Sequence, residues 1–467
     1  MAKTPDTTSP QRDQPVAQAR VQPAQWTQTT TACDNRIRLV RAASQFQRID
    51  LMRILIVTFV AVLTSMVGSL NAADNWNQFR GSHGNGQAAS ASLPIHWSET
   101  KHVAWKRAVH GKAWSSPVVW GEKIWMTSAT PDGKQLFAVC VDANTGRIEH
   151  DITVFDIAKP MFCFDYNSYA SSTPVVEEGR LWVHYGSAGT ACLDTDSGKT
   201  LWSRQDLPCD HHRGPGSSPI MFRNLLIVNF DGFDQQYVVA LDKNTGKTVW
   251  KADRDRDIDY GNTNGDGKKA YSTPTVIQHN GRLQLISLAA VGTVAYDPLT
   301  GKKLWTVQHG GFNAAARPLY AHGLVYLSFE GGRRLLAVRP DGDGDVTKTH
   351  IAWTYGKSTP TRPSQLILGD YLYMVNDKGV VSCLDAKTGE PAWMHRMGGR
   401  HTASPLYANG RIYFVDEDGT SRVIEANPIQ FRLLAENKLA GGCMASPAVI
   451  GDALIIRTKT HLYRIER

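Results

Sequence analysis

Asp242-Lys-Asn-Thr-Gly246-Lys-Thr-Val-Trp250 decides the fold, because near copies stand at Asp194–Trp202, Asp297–Trp305 and Asp385–Trp393. Each copy ends an apolar run, turns through a Gly, and re-enters an extended segment with Trp four residues after that Gly. A turn signal between two alternating segments is a β-hairpin. A hairpin recurring at fixed spacing is a repeat architecture.

A Pro opening an apolar run indexes the repeat outward from that stretch. Ser116-Pro117, Thr173-Pro174, Ser218-Pro219, Thr273-Pro274, Arg317-Pro318, Arg362-Pro363, Ser404-Pro405 and Ser446-Pro447 give intervals of 57, 45, 55, 44, 45, 42 and 42. A base period of 42 to 45 matches a four-stranded propeller blade. Within a unit, Ser404-Pro-Leu-Tyr reads as strand A, Asn409-Gly410 as a tight turn and Arg411–Val415 as strand B. Val381–Asp385 exemplifies strand C, and the Gly turn leads into strand D with its Trp.

The eighth unit ends at Leu462-Tyr-Arg-Ile465, one strand short, while Val103-Ala-Trp105-Lys106 carries a strand-D Trp ahead of the first unit. Pairing the two closes the ring and leaves no open sheet edge. The fold expected is all-β, an eight-bladed β-propeller of four-stranded antiparallel blades closed by the N-terminal strand. The propeller spans residues 101–467, and 74–100 reads as an irregular segment.

Ahead of it, Met52-Arg53, an apolar run from Ile54 to Leu70, and Asn71-Ala-Ala73 read as a secretory signal peptide. An N-terminal membrane anchor is the rival reading. Residues 1–51 are then a non-globular leader or a misassigned start. Cleavage leaves no stable membrane span and an extracytoplasmic, periplasmic protein. Residues 1–73 hold eight Lys/Arg and four Asp, so the remainder carries 43 basic and 39 acidic residues, about +4 net. That excess is too mild and too scattered for nucleic acid. Cys140, Cys192 and Cys383 share one repeat position and read as buried packing thiols, whereas Cys163 and Cys209 lie in inserts and are the disulfide candidate.

The Asp/Ala-x-x-Thr-Gly-x-x-x-Trp repeat resembles the pyrroloquinoline-quinone (PQQ) repeat of quinoprotein-like β-propellers. Asn75-Trp-Asn-Gln-Phe-Arg-Gly81 and Trp114-Ser-Ser-Pro117 resemble an exported planctomycete-type branch of that group. The resemblance covers residues 75–467 and implies the fold, which hosts enzymes, assembly scaffolds and sensor domains alike. For a PQQ- and calcium-dependent alcohol dehydrogenase it would also imply an adjacent Cys-Cys pair and a catalytic Asp. This sequence has no Cys-Cys pair, and no Asp falls on a matching motif.

Propeller topology puts the short A–B and C–D turns on one face, and the B–C loops and D–A crossovers on the other. The long intervals come from residues 151–168 and 252–270, both crossovers, so the insertions share a face, as binding surfaces of repeat proteins do. Candidate binding residues there are Asp165, Tyr166 and Asn167 from the first crossover, and His211, His212 and Arg213 from the second. Asp231 and Asp234 come from a B–C loop, and Asp259 and Tyr260 from the third crossover. Such residues suit a protein, peptide or polar ligand.

Metal chemistry is weakly signalled. Asn262-Thr-Asn264-Gly-Asp266-Gly267 starts like a calcium loop but has Thr273 where the bidentate Glu belongs. Asp341-Gly-Asp343-Gly-Asp345 fails at Val346. Adjacent side chains of an extended segment diverge, so His211 and His212 do not readily share an ion. Gly198-Lys-Thr200 and Gly246-Lys-Thr248 lack the first Gly of a phosphate loop and sit in hairpins. The function expected is a monomeric, non-catalytic binding or scaffold module without a cofactor. The alternatives are a quinoprotein oxidoreductase and a scaffold for outer-membrane protein assembly.

Overall fold

Alternating side chains let each strand bury one face against the neighbouring blade, and the chain does this eight times over. The computed structural model describes residues 75–467 except 89–90, 255–256, 262–264 and 331–333, so residues 1–73, expected above to be a leader and a signal peptide, lie outside the described residues. Eight antiparallel sheets follow one another. Seven are built in chain order, from residues 118–156, 175–204, 220–253, 275–308, 319–355, 366–396 and 406–438. The eighth joins Ala448–Ile450, Ala453–Arg457 and His461–Ile465 to Val103–Ala108. Val103 lies opposite Ile465 and Ala108 opposite His461, which is the closure the stray Trp105 predicts.

The repeated Trp is the joint between blades. A Cβ placed on Gly146 would lie 2.7 Å from the Trp105 ring, on Gly246 2.6 Å from Trp202, on Gly301 2.6 Å from Trp250, and on Gly389 2.7 Å from Trp353. The indole of strand D thus lies flat on the Gly turn of the next blade. Its Nε1–H donates to a carbonyl in that turn: Trp105 to Ala143 (2.7 Å), Trp202 to Lys243 (2.9 Å), Trp250 to Pro298 (3.0 Å) and Trp353 to Ala386 (3.2 Å). The turn is held open by its Asp, as where Asp242 Oδ1 accepts from Thr245 N at 2.8 Å.

Two departures from the sequence reading have physical reasons. Blade 6 begins with Ser364, not Pro363, because Arg317 N donates to Ser364 Oγ in the register that Ser and Thr hold elsewhere. The C–D turns are not uniformly short: in blade 5 residues 339–350 intervene, and Gly344–Asp345 adds a fifth, parallel strand beside Trp305 of blade 4. The Asp-rich run at 341–345 is therefore an edge strand with its turns. Residues 75–88 line free inner edges of the blades. Val119 N donates to Trp76 O (2.8 Å), Val176 N to Asn77 O (2.9 Å) and Tyr407 N to Gly86 O (2.9 Å), closing the central channel at that level.

Gly281 offers an internal control for the Trp joint. It has φ +80° and nothing near a built Cβ, whereas Gly246 has φ +71° and the Trp202 ring at 2.6 Å. Gly281→Ala should cost only the left-handed strain, about 1 kcal/mol. Gly246→Ala adds overpacking and should cost about 3 kcal/mol. Thermal melts of the two variants side by side check the difference.

Candidate functional site

Above the plugged level, the Ser or Thr preceding each strand A faces the channel axis. Its hydroxyl accepts from the backbone of the blade before it: Ser116 N to Thr173 Oγ1 (3.0 Å), Thr173 N to Ser218 Oγ (2.9 Å) and Ser218 N to Thr273 Oγ1 (3.1 Å). The series resumes with Arg317 N to Ser364 Oγ (2.9 Å), Ser364 N to Ser404 Oγ (3.0 Å), Ser404 N to Ser446 Oγ (2.9 Å) and Ser446 N back to Ser116 Oγ (3.1 Å). Only Arg317, which supplies no hydroxyl, interrupts the girdle. The girdle walls a cavity of about 270 Å³, with Phe79 of the plug at its base and Trp114, Tyr166, Arg213, Tyr271 and Arg362 toward its mouth.

The first crossover spans that mouth. Tyr166, leaving blade 1, donates its hydroxyl to Glu417 of blade 7 and accepts from Arg362 Nη1 at 3.0 Å; Thr402 Oγ1 lies at 3.1 Å. Arg400 reaches Glu417 at 3.2 Å and Arg362 reaches Asp377 at 3.1 Å, so the strap ends in an ionic network. Burial, and then the bond to Glu417, raise the Tyr166 phenol above its ordinary value and keep it a donor.

The other expected residues divide by environment. Asn167 ties the first crossover to the second, donating to Arg213 O (2.9 Å) and Pro215 O (3.0 Å). The Arg213 guanidinium lies 5.7 Å from the Phe164 ring centre. His212 packs between Phe162 (5.7 Å) and Phe233 (5.1 Å), each ring tilted by 48° to it. Asp234 accepts from Asp210 N at 2.7 Å, fastening the B–C loop beneath that cluster. Asp165 is exposed, and its carbonyl accepts from Lys112 at 2.7 Å. The inserts thus meet on one face and present Met161, Phe162, Phe164 and Phe233 at 50, 62, 47 and 40 % exposure.

Four expectations need correcting. His211 is buried rather than presented; Ser187 N donates to its Nε2 at 3.0 Å, and burial beside Lys269 depresses its pKa, so it is neutral. Asp231 is buried in an ion pair with Arg254 at 2.7 Å and fixes the loop rather than a ligand. Asp259 and Tyr260 border a separate depression with Lys268 and Gln308, away from the channel mouth. Cys163 and Cys209 are separate thiols, one against Arg213 O, the other 3.9 Å from His211 Nδ1. Asn262 and Asn264 lie outside the described residues, and Asp266 opens a short 3-10 turn, Asp266–Lys268. Among the described residues no three His, Cys, Asp or Glu gather as a metal site. Arg362, Thr402 and Glu417 were missed because their loops are short; their only mark is a place just ahead of, or two strands beyond, a repeat Pro.

Tyr166→Phe removes the hydroxyl from a network in which Glu417 keeps Thr402 and Arg400. The expected loss is about 1–2 kcal/mol, read as a lower melting temperature. A pH effect has a definite sign. Burial holds His184 at about 3, and His211 well below its ordinary value. Both bind protons in the unfolded chain before they do in the fold, so stability is whole above pH ~6.5 and falls as the pH drops toward 3. Each contributes up to about 1.4 kcal/mol per pH unit. Melts from pH 7.5 to 4.5 should show this fall, and His184→Gln should flatten it.

Comparison with known proteins agrees with this architecture. A family model described as outer membrane protein assembly factor BamB matches residues 139–253, 234–368 and 292–460. The outer membrane protein assembly factor BamB of Shewanella oneidensis is 22 % identical over 312 residues, 62 % of this chain and 72 % of that protein. Among solved structures, BamB from Moraxella catarrhalis superposes with a TM-score of 0.55 at 15 % identity, over 78 % of this chain and 99 % of that one. A europium-containing methanol dehydrogenase reaches 0.65 at 12 % identity, over 83 % and 90 %. Quinohemoprotein alcohol dehydrogenase from Comamonas testosteroni reaches 0.60 at 12 %, over 85 % and 81 %. These structural likenesses carry the fold alone. The family model spans more than half of the sequence, and the chain belongs to the PQQ-like repeat propeller family described as outer membrane protein assembly factor BamB.

Proposed function

We propose that this chain is a non-catalytic scaffold for outer-membrane protein assembly, working outside the cytoplasm and docking protein partners on the face that carries the inserts. The observation behind the reading is the cluster of Met161, Phe162, Phe164 and Phe233, apolar side chains held in solvent by a frame that does not need them for its own core. Such patches are where association gains most from leaving water. Arg213 and Lys112, with exposed Asp165 and Asp234, border the cluster and give it the mixed polar rim that surrounds an apolar contact. Family membership supports the same reading, and the apolar segment from Ile54 to Leu70 supports export.

A small-molecule role fits less well. The channel cavity, about 270 Å³, falls below the usual ligand-pocket range of roughly 300–1,000 Å³, and Tyr166 crosses its mouth. The quinoprotein alternative implies an adjacent Cys-Cys pair that the sequence does not contain.

A photo-reactive side chain at Phe162 tests the scaffold role against one at Leu299, a 39 % exposed residue of a C–D turn on the opposite face. Irradiation in intact cells should link position 162, and not 299, to components that assemble outer-membrane proteins. Identical adducts from both positions, or none from 162, would reject this face as the docking surface.

A further inference from the structure

The channel plug carries an uncompensated charge. Between Phe79 and Gly86 the chain crosses the channel through Arg80, which has φ 69° and is 2 % exposed; Arg317, 4 % exposed, enters from blade 5. Glycines bring the loop onto both guanidiniums. A Cβ on Gly84 would stand 2.1 Å from Arg317 Nη1, and one on Gly86 2.5 Å from Arg80 Nη2. Two like charges are thus wrapped by residues two apart in sequence.

Every acceptor they meet among the described residues is neutral. Arg80 Nη2 donates to Asn85 O (2.8 Å) and Gln365 O (2.6 Å). Arg317 donates from Nε to Thr275 Oγ1 (3.0 Å) and from Nη1 to Phe79 O (2.9 Å). Among the described residues neither guanidinium pairs with a carboxylate, in contrast to buried Arg254, which has Asp231 at 2.7 Å. Arg457 is also buried among neutral oxygens, but its Nη1 meets Ser115 O, Ser115 Oγ and Thr127 O. Among the described residues Arg80 instead keeps Nε and Nη1 without an acceptor, and the side-chain amide of Gln365, fully buried, is unbonded at both Nε2 and Oε1. An isolated buried charge costs several kcal/mol, and donors left without acceptors add to that.

We propose that the base of the channel binds one small monovalent inorganic anion, of halide or nitrate size, that accepts from Arg80 Nε and Nη1 and from Gln365 Nε2 beside Arg317. The ion offsets the two charges and supplies the missing acceptor, and it serves the fold by fixing the plug. The guanidiniums stay protonated at neutral pH: burial, and for Arg80 the neighbouring Arg317, lower them only to about 9 and about 10. The site is independent of what docks on the insert face.

Bromide is the probe. Crystals of the mature protein grown in sodium bromide should give an anomalous peak within hydrogen-bond distance of Arg80 Nε and Nη1. In solution, replacing gluconate by bromide at constant ionic strength should raise the melting temperature saturably, by about 3 °C at a hundredfold excess over Kd. Arg317→Met should shift the half-saturating bromide concentration upward at least tenfold. A channel base that holds water alone in the bromide crystals, with bromide only on the surface, overturns the proposal. So does a melting temperature indifferent to the anion in the wild-type protein, and that result does not depend on how well the variant folds.

Discussion

The contact between one blade's indole and the next blade's glycine turn is the constraint on which the rest depends. It asks three things of nine residues at once: an Asp to brace the turn, a Gly with φ near +70° and no Cβ, and a Trp that can lie flat and still donate its N–H. Trp202 on Gly246 satisfies all three, since Lys243 O takes the indole proton at 2.9 Å while the ring covers the glycine. No blade can bury this face alone, so each is stabilised by its successor. The last blade borrows Trp105 from the start of the propeller, and the ring closes on the same chemistry, with Trp105 bonded to Ala143.

Where the joint is missing, something else fills the place. Blade 1 has His150, stacked 5.5 Å from Trp125, and the Gly198 turn packs against Ile152 instead. Trp305 turns inward to Gln284 at 2.7 Å, and the insert of blade 5 pairs along its strand. The outer joint tolerates such exchange because the inner girdle of Ser and Thr hydroxyls also links the blades. Two independent sets of inter-blade bonds make a stiff frame, and a stiff frame allows long crossovers on one face without loss of register.

The outer joint was legible because its residues are contiguous and recur. The plug was not. Asn75 to Gly86 carries no periodicity, and its partners lie hundreds of residues away: Arg80 donates to Gln365, and Arg317 to Phe79. A buried Arg without a local acid looks in sequence like any surface Arg. Interval lengths report topology, and the first two crossovers and the B–C loop meet at Arg213 and Asp210, but burial within them was not legible. His211 and His212 are neighbours in sequence, yet one lies at 8 % exposure behind the cluster while the other packs against Phe162. Which of two adjacent side chains turns inward depends on Lys269, Phe230 and Ser187, and no spacing rule links those positions.

Channel geometry bears directly on where function can lie. One end is filled by residues 75–88, bonded to strands A of blades 1, 2 and 7, and the other is crossed by the strap that ends in Tyr166 and Glu417. With the plug bonded below and the strap crossing above, little could pass along the axis without breaking the Arg362, Thr402 and Glu417 contacts. The same crossover that closes the mouth exposes Met161, Phe162 and Phe164 on its outer side. One segment therefore removes the axis from use and creates an apolar surface beyond it. Under the scaffold role proposed above, that exchange would move recognition from the pore to the rim, where another protein can reach.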